Sequence, residues 1–331
     1  MPNTVNSVSS AIPSKYDGIL ERNRKSKQKK SKRKAYARRM IPLYLMMLPG
    51  LIYLFCNNYL PMFGILFAFK KMNFSLGVFN SPWCGLQNFE FLFKTKDAWI
   101  MTRNTLLYNI VFIVLGTVIA VFIAILMEEI SSRMIAKIIQ PVICFPAMIS
   151  AVILSFLVYA FLSTNNGYIN RSILGGNGVN WYANAQYWPL ILIIVHFWQC
   201  SGQSSIIYMA SIGGIDKGLY EAARIDGASK MQQIRSITLP LLKPMVVLML
   251  LMSVGTIFNS DFGLFYQVTL NQGMLTSTTQ TIDTYVFKAL MELNNVGMSS
   301  AASVLQAILG FILVLLSNWF VRVVDSDSAL F

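Results

Sequence analysis

The stretch Leu219–Pro240, "LYEAARIDGASKMQQIRSITLP", lies between two long apolar runs that read as membrane spans. It carries acids, bases, a small-residue pair, one glycine and a terminal proline, which is more order than a bare linker needs. Asp216, just upstream, is placed to cap a helix by accepting from free backbone N–H groups, and a short helix is expected over Lys217–Asp226. Gly227 suits the left-handed position past a helix end, where a Cβ would be strained. A second helix is expected over about Ala228–Thr238. There Met231, Ile234 and Ile237 recur at three-residue steps as a stripe for the membrane end of a bundle. Pro240 is expected to end that helix. Ala222 and Ala223 allow close approach to the backbone. Glu221 and Arg224 share a face, free to pair with each other or with a partner.

The surrounding chain sets the solvent. Of 331 residues, 55% are hydrophobic and only 12% charged, with a mean hydropathy of +0.55. Soluble domains are about a quarter charged, so most of this chain is expected to face lipid. A crossing takes about 20 apolar residues. Six are expected: about Leu43–Phe69, Thr105–Met127, Ile138–Leu162, Tyr187–Ser211, Leu241–Asp261 and Ala301–Val324. The fold class is therefore an all-α membrane protein. It has a basic tail over 1–40, a transmembrane domain over 41–331 and a loop over 212–240. Pro49, Pro61 and the pair Asn57–Asn58 interrupt the first span, and Pro141 and Pro146 fall near the start of the third.

The net charge of +13 is concentrated: twelve of the 27 Lys and Arg precede Met40. That run has no interleaved aromatics and no folded reader, which argues against nucleic acid. It reads as a topology signal and a contact for anionic lipid headgroups. With the N-terminus inside, twenty Lys and Arg fall on the cytoplasmic side and seven outside, placing both termini and the quoted stretch in the cytosol. The first span is expected to remain as an anchor rather than to be cleaved. Trp83, Trp99, Trp181 and Trp188 fit an interfacial aromatic belt, the alternative being an extracellular docking surface.

Cys56, Cys84, Cys144 and Cys200 are scattered without a CxxC pair, and His196 is the single histidine, so no metal site is expected. No phosphate loop exists: "GGNGVN" at Gly175 lacks the lysine and the hydroxyl. No catalytic residue is expected, and the chain is read as a non-enzyme. Polar groups inside spans usually face the bundle interior. Gln199, Gln203, Asn259 and Asp261 are candidate pathway residues, near the faces of Phe197, Trp198, Phe258 and Phe262. For each, the alternative is an interhelical hydrogen bond that holds the bundle together. His196 reads as such a satisfied partner.

The spacing Glu221-Ala222-Ala223, Gly227, Ile237, Leu239-Pro240 resembles the EAA signature of ATP-binding-cassette importer permeases without a gap. "RIDGA" around Asp226 and Gly227, and the lead-in "FWQCSGQSSIIYMASIGGIDKGLYEAA", resemble the sugar-importing branch. "YLMMLPGLIYLFCNNYLPMFGILFAFKKMN" and "GLQNFEFLF" look like its members for oligosaccharides and polysaccharide fragments. The resemblance implies a maltose-permease-like subunit in a bacterial plasma membrane. In it Glu221, Ala222, Ala223, Arg224, Asp226, Gly227, Ile237, Leu239 and Pro240 form a coupling element that docks on an ATPase. It implies as partners a second permease, two ATPases that bind ATP and Mg, an extracellular solute-binding protein and a carbohydrate. An importer for peptides or other solutes, and an ion-coupled secondary transporter, remain as alternatives.

Overall fold

The computed structural model describes residues 40–73, 75–130, 132–176 and 178–324; the basic tail lies outside them. Five described helices are long and apolar enough to cross a membrane, or six if one bent pair counts as a single span. The chain divides into two units, Met1–Gly64 and Ile65–Phe331.

Of helix α1, Met40–Phe69, residues 40–64 are the described part of the first unit. It is α-helical over 40–54, widens to a π turn at Phe55–Tyr59 and tightens to a 3-10 helix at Leu60–Phe69. The change of winding accompanies Pro61, which has no N–H for the ladder. Asn57 meets its own helix, its Nδ2 donating to the Tyr53 carbonyl at 3.0 Å.

In the second unit α2 runs over Lys96–Glu128, about 50 Å at 1.5 Å per residue. It begins earlier than the apolar run because Thr95 caps it, accepting from Ala98 N at 3.3 Å. Helices α3 (Arg133–Cys144) and α4 (Ala151–Leu162) follow. The third expected span is not one straight helix: the chain bends by 94° between them. Pro146 sits in the intervening 3-10 turn, and Ser150 starts α4 by accepting from Ile153 N. At Gly202 of α5 (Trp188–Gly213) the Ile143 carbonyl of α3 comes so near that a Cβ would lie 2.0 Å from its oxygen.

After α5 come α6 (Lys217–Ile225) and α7 (Lys230–Gly255). Two expectations fail here. Pro240 does not end a helix: α7 runs through it, and a π turn at Ile234–Thr238 just ahead absorbs the irregularity. The fifth span also stops at Gly255, six residues before Asp261, where α7 crosses α9 (Val296–Val324). A Cβ on Gly310 of α9 would lie 3.2 Å from the Gly255 carbonyl oxygen. A short helix, α8, covers Ile282–Met291.

The main core gathers Tyr108, Leu154, Val158, Leu192, Leu264 and Phe265 around Trp188. Trp188 is fully buried, its Nε1 donating to the Trp181 carbonyl at 2.8 Å, so it is a core residue rather than part of an interfacial belt. Trp181 donates to Asn170 Oδ1 at 2.9 Å, whereas Trp83 and Trp99 are exposed. Towards the C-terminal end of α5, Ala120 and Ala124 of α2 pack on Tyr208, Ile212 and Leu242.

Candidate functional site

The segment Asp216–Pro240 is built from local caps. Asp216 Oδ1 accepts from Gly218 N at 2.9 Å. At the far end of α6, Gly227 has φ +81°. Its N–H donates to Arg224 O at 3.1 Å, and Ala228 N–H donates to Ala223 O at 2.9 Å. These two bonds close the Schellman motif. Ser229 then starts α7 with a reciprocal capping box, Ser229 N donating to Gln232 Oε1 at 2.7 Å and Gln232 N to Ser229 Oγ at 3.4 Å. The corner at Gly227 is thus set by backbone geometry on both sides.

Two side-chain links tie this element to the span ends. Tyr220 Oη and Thr238 Oγ1 are 2.9 Å apart, joining α6 to α7. Lys230 Nζ donates to Glu129 Oε2 at 2.6 Å, joining α7 to the turn after α2. Between α6 and these ends lies a recess of about 270 Å³, lined in part by Glu128, Lys217, Glu221 and Arg224. Glu221 and Arg224 form no ion pair with each other.

Glu221, Ala222, Arg224, Asp226, Gly227, Leu239 and Pro240 are exposed; Ala223 and Ile237 are half-buried. The expected apolar stripe holds only in part. Ile234 and Ile237 are half-buried, but Met231 is 70% exposed, and the side chains buried there are Gln233 and Thr238. Sequence reasoning missed Ile225, which is 87% exposed at the tip of α6. An apolar residue at the polar end of a short helix was its available signal.

A second cavity, of about 440 Å³, lies among α2, α5 and α7. Asn109, His196, Gln203, Ser204, Ser253 and Thr256 give it polar groups, and Phe112 and Phe197 give it ring faces. Of the four pathway candidates only Gln203 lines it. Gln199 Nε2 donates to the Ile149 carbonyl at 3.3 Å, holding the bend before α4. Asn259 Oδ1 accepts from Gln306 Nε2 at 2.7 Å. Asp261 Oδ1 accepts from Leu264 N at 3.1 Å and so starts the next helical turn. His196 lines the cavity: its ring stacks on Phe112 at 3.8 Å, and its Nδ1 meets Cys200 Sγ at 4.0 Å, a hydrogen-bonding distance for sulfur, so it keeps a partner one turn along α5. Of the expected ring faces only Phe197 reaches the cavity: Phe258 is buried, Trp198 is exposed and Phe262 stacks on Tyr266.

The backbone beyond Gly255 is irregular, and long-range side chains satisfy it. Asn109 Nδ2 donates to the carbonyls of Ile257 and Asn259, each at 2.9 Å. Gln306 Nε2 donates to the Phe258 carbonyl and, at 3.2 Å, to Asp283 Oδ1. Asp283 in turn accepts from Ser260 Oγ at 2.8 Å. Non-helical backbone at membrane depth needs such partners. Asn109 and Asp283 were not among the sequence candidates.

Residues 113–328 match the family described as "Binding-protein-dependent transport system inner membrane component", and the chain belongs to it. It is 34% identical over 295 residues to the polygalacturonan/rhamnogalacturonan transport system permease protein YteP of Bacillus subtilis (strain 168), covering 88% of this chain and 91% of that one. It is 27% identical to the trehalose/maltose transport system permease protein MalF of Thermococcus litoralis, covering 80% and 88%. Among solved structures it matches a bacterial ABC transporter involved in import of the acidic polysaccharide alginate, with a TM-score of 0.78, 29% identity and 87% and 97% coverage. The alginate ABC transporter in complex with an alginate pentasaccharide-bound periplasmic protein matches with a TM-score of 0.77, 28% identity and 87% and 96% coverage. The chain is thus a multi-pass membrane permease component rather than an enzyme, with the helical fold of ABC importer permeases.

Proposed function

We propose that this chain is one permease subunit of an ATP-driven importer, and that it forms part of the path for a sugar or oligosaccharide. The observation that carries the coupling half of this reading is the segment Asp216–Pro240. It presents Glu221, Ala222 and the exposed Ile225 on a capped helix that is tied to the ends of α2 and α7. An exposed isoleucine beside small residues and charges suits a protein groove better than water. The carbohydrate half rests on the relatives named for polygalacturonan, trehalose/maltose and alginate.

In this reading ATP and Mg are bound by two copies of a separate ATPase. A second permease completes the pore, and an extracellular binding protein delivers the solute. The Lys and Arg bias supports a cytosolic Asp216–Pro240 and cytosolic termini, in a bacterial plasma membrane. When the ATPases close, force enters at α6. The Tyr220–Thr238 and Lys230–Glu129 links pass it to α7 and α2, while α5 receives it directly through Gly213–Asp216. Those three helices wall the 440 Å³ cavity, so displacing α6 changes the walls that the solute meets. Gln203, His196 and Asn109 there offer donors and acceptors to hydroxyls, and Phe197 offers a face to the C–H side of a sugar ring.

The test is co-purification from native membranes, with bound proteins identified by mass spectrometry. The wild-type chain is expected to bring an ATPase and a second permease, and a Glu221→Lys, Gly227→Val double variant to lose the ATPase while keeping the permease. Retention of the ATPase by the double variant overturns the coupling role. A co-purified binding protein that holds a peptide or other non-sugar solute overturns the carbohydrate role.

A further inference from the structure

At the other end of α5 from the coupling segment lies a recess of about 310 Å³, at the small end of the range for ligand pockets. Its polar lining comes from Tyr159 of α4, from Thr164, Asn165 and Asn180 in the loop between α4 and α5, and from Gln272 in the turn that follows Val268.

Both walls are built rather than loose. Asn170 is 2% exposed and uses both ends of its amide on the loop. Its Nδ2 donates to the carbonyls of Ser163 (3.3 Å), Thr164 (3.0 Å) and Val179 (2.9 Å). Its Oδ1 accepts from Val179 N (3.3 Å) and Trp181 Nε1 (2.9 Å). Thr164 Oγ1 donates to Asn180 Oδ1 at 3.3 Å, fixing that amide. On the facing wall Leu270 is left-handed, with φ +52°, and so is Asn271 next to it, with φ +49°. Non-glycine residues rarely adopt that conformation, and it concentrates at ligand sites. Tyr159 and Tyr182 lie 5.7 Å apart at 56°, and Tyr182 rests edge-on against the buried Trp188 at 5.0 Å.

Amide and hydroxyl groups beside tyrosine rings match the hydroxyls and C–H faces of a sugar. The centre of a protein-docking spot would be more apolar. Charge narrows the ligand further. Among the described residues, no Asp, Glu, Lys or Arg lines this recess or the 440 Å³ cavity. A carboxylate entering either place would lose water without gaining a cation.

We propose that this recess is a saccharide subsite for an uncharged sugar unit, at the opposite end of the permease from the coupling segment. The proposal rests on the carbohydrate reading above. It adds a second place of sugar contact and a preference for neutral units over uronates.

The test uses the co-purified importer complex in lipid nanodiscs and saturation-transfer NMR. The probes are maltotriose, trigalacturonate and fully methyl-esterified trigalacturonate, which differs from its parent chiefly in charge. A neutral probe is expected to give a signal about tenfold stronger than the acid. Gln272→Trp, which fills the recess, is expected to reduce that signal, with a further reduction when it is combined with Gln203→Trp, which fills the other cavity. A signal unchanged by Gln272→Trp, or no signal from any probe, overturns the subsite. A signal stronger for the acid than for its ester overturns the preference for neutral units. Loss of binding-protein association in Gln272→Trp, with the sugar signal intact, reassigns the recess to protein docking and overturns the proposal. Binding-protein-dependent sugar uptake by wild-type proteoliposomes is measured alongside. If uptake persists while the subsite fails, the carbohydrate reading stands; if uptake fails for every sugar supplied, that reading falls too.

Discussion

The Ile143 carbonyl oxygen and Gly202 meet so closely that a Cβ on residue 202 would lie 2.0 Å away. This contact lets the bent third span cross α5 backbone to backbone. Gly202→Ala must push two helices apart, which costs about 1–3 kcal/mol by analogy with overpacked cores. At Gly116 of α2 the nearest atom to an added Cβ is Phe197 Cε1 at 3.6 Å, ordinary contact distance. There alanine is expected to be neutral or stabilising by up to about 1 kcal/mol, through helix propensity. The thermal unfolding temperature of the purified complex should therefore fall for Gly202→Ala and hold or rise for Gly116→Ala. Equal shifts would sink the argument.

Gly227 offers a different test, because nothing lies within 4 Å of an added Cβ there. Any penalty is conformational, from φ +81°, and amounts to about 1–2 kcal/mol for an ordinary L-residue. Asparagine tolerates the left-handed region best, alanine less and valine least. Solute-stimulated ATP hydrolysis by the complex is expected to fall in the order Gly227→Asn, Gly227→Ala, Gly227→Val. A series ordered by side-chain volume alone, with asparagine worse than alanine, would point to a steric clash with the partner instead.

These two glycines mark where sequence reading succeeds and where it stops. Gly227, Asp216 and the start of the helix after them were legible because each cap acts within a few residues. The bend at Pro146 was not, since its counterpart, Gly202, lies on another helix with no local mark of its role. The end of the fifth span was hidden for the same reason: apolar composition continues past Gly255, but Asn109 and Gln306, distant in sequence, take up the carbonyls of residues 257–259. Pro240 misled because a π turn one step earlier removes the conflict that proline ordinarily creates. Asn259 and Asp261 read as pathway groups from composition; in the fold Asn259 accepts from the distant Gln306, and Asp261 accepts from Leu264 N three residues on.

Ile225 separates docking from stability. At 87% exposure its side chain buries almost nothing in this chain, so Ile225→Ser should change the stability of the isolated subunit by no more than about 0.5 kcal/mol. If α6 is the ATPase-docking element, the same change removes apolar contact from the interface and lowers ATPase retention on a salt-washed affinity column. Met231→Ser, also at an exposed apolar position, reports whether that surface extends onto α7. Full retention by both variants would confine docking to the charged face of α6.

Gln203 and Gln306 separate the solute path from its frame. Gln306 is 8% exposed, and its Nε2 serves the Phe258 carbonyl, Asn259 Oδ1 and the Asp283 carboxylate together. Gln306→Leu leaves those acceptors short of a donor in a dry setting, at a cost of about 1–3 kcal/mol. Gln203 faces the 440 Å³ cavity and is exposed there, so Gln203→Leu should leave stability within about 0.5 kcal/mol of wild type. Transport is expected to respond the other way. Per folded complex, Gln203→Leu should raise the KM for sugar uptake, because a hydroxyl partner is gone from the wall. Gln306→Leu should mainly reduce the amount of folded complex and leave the KM of the survivors near wild type. If Gln203→Leu transports normally, the wall that Gln203 lines is not where this chain meets the solute.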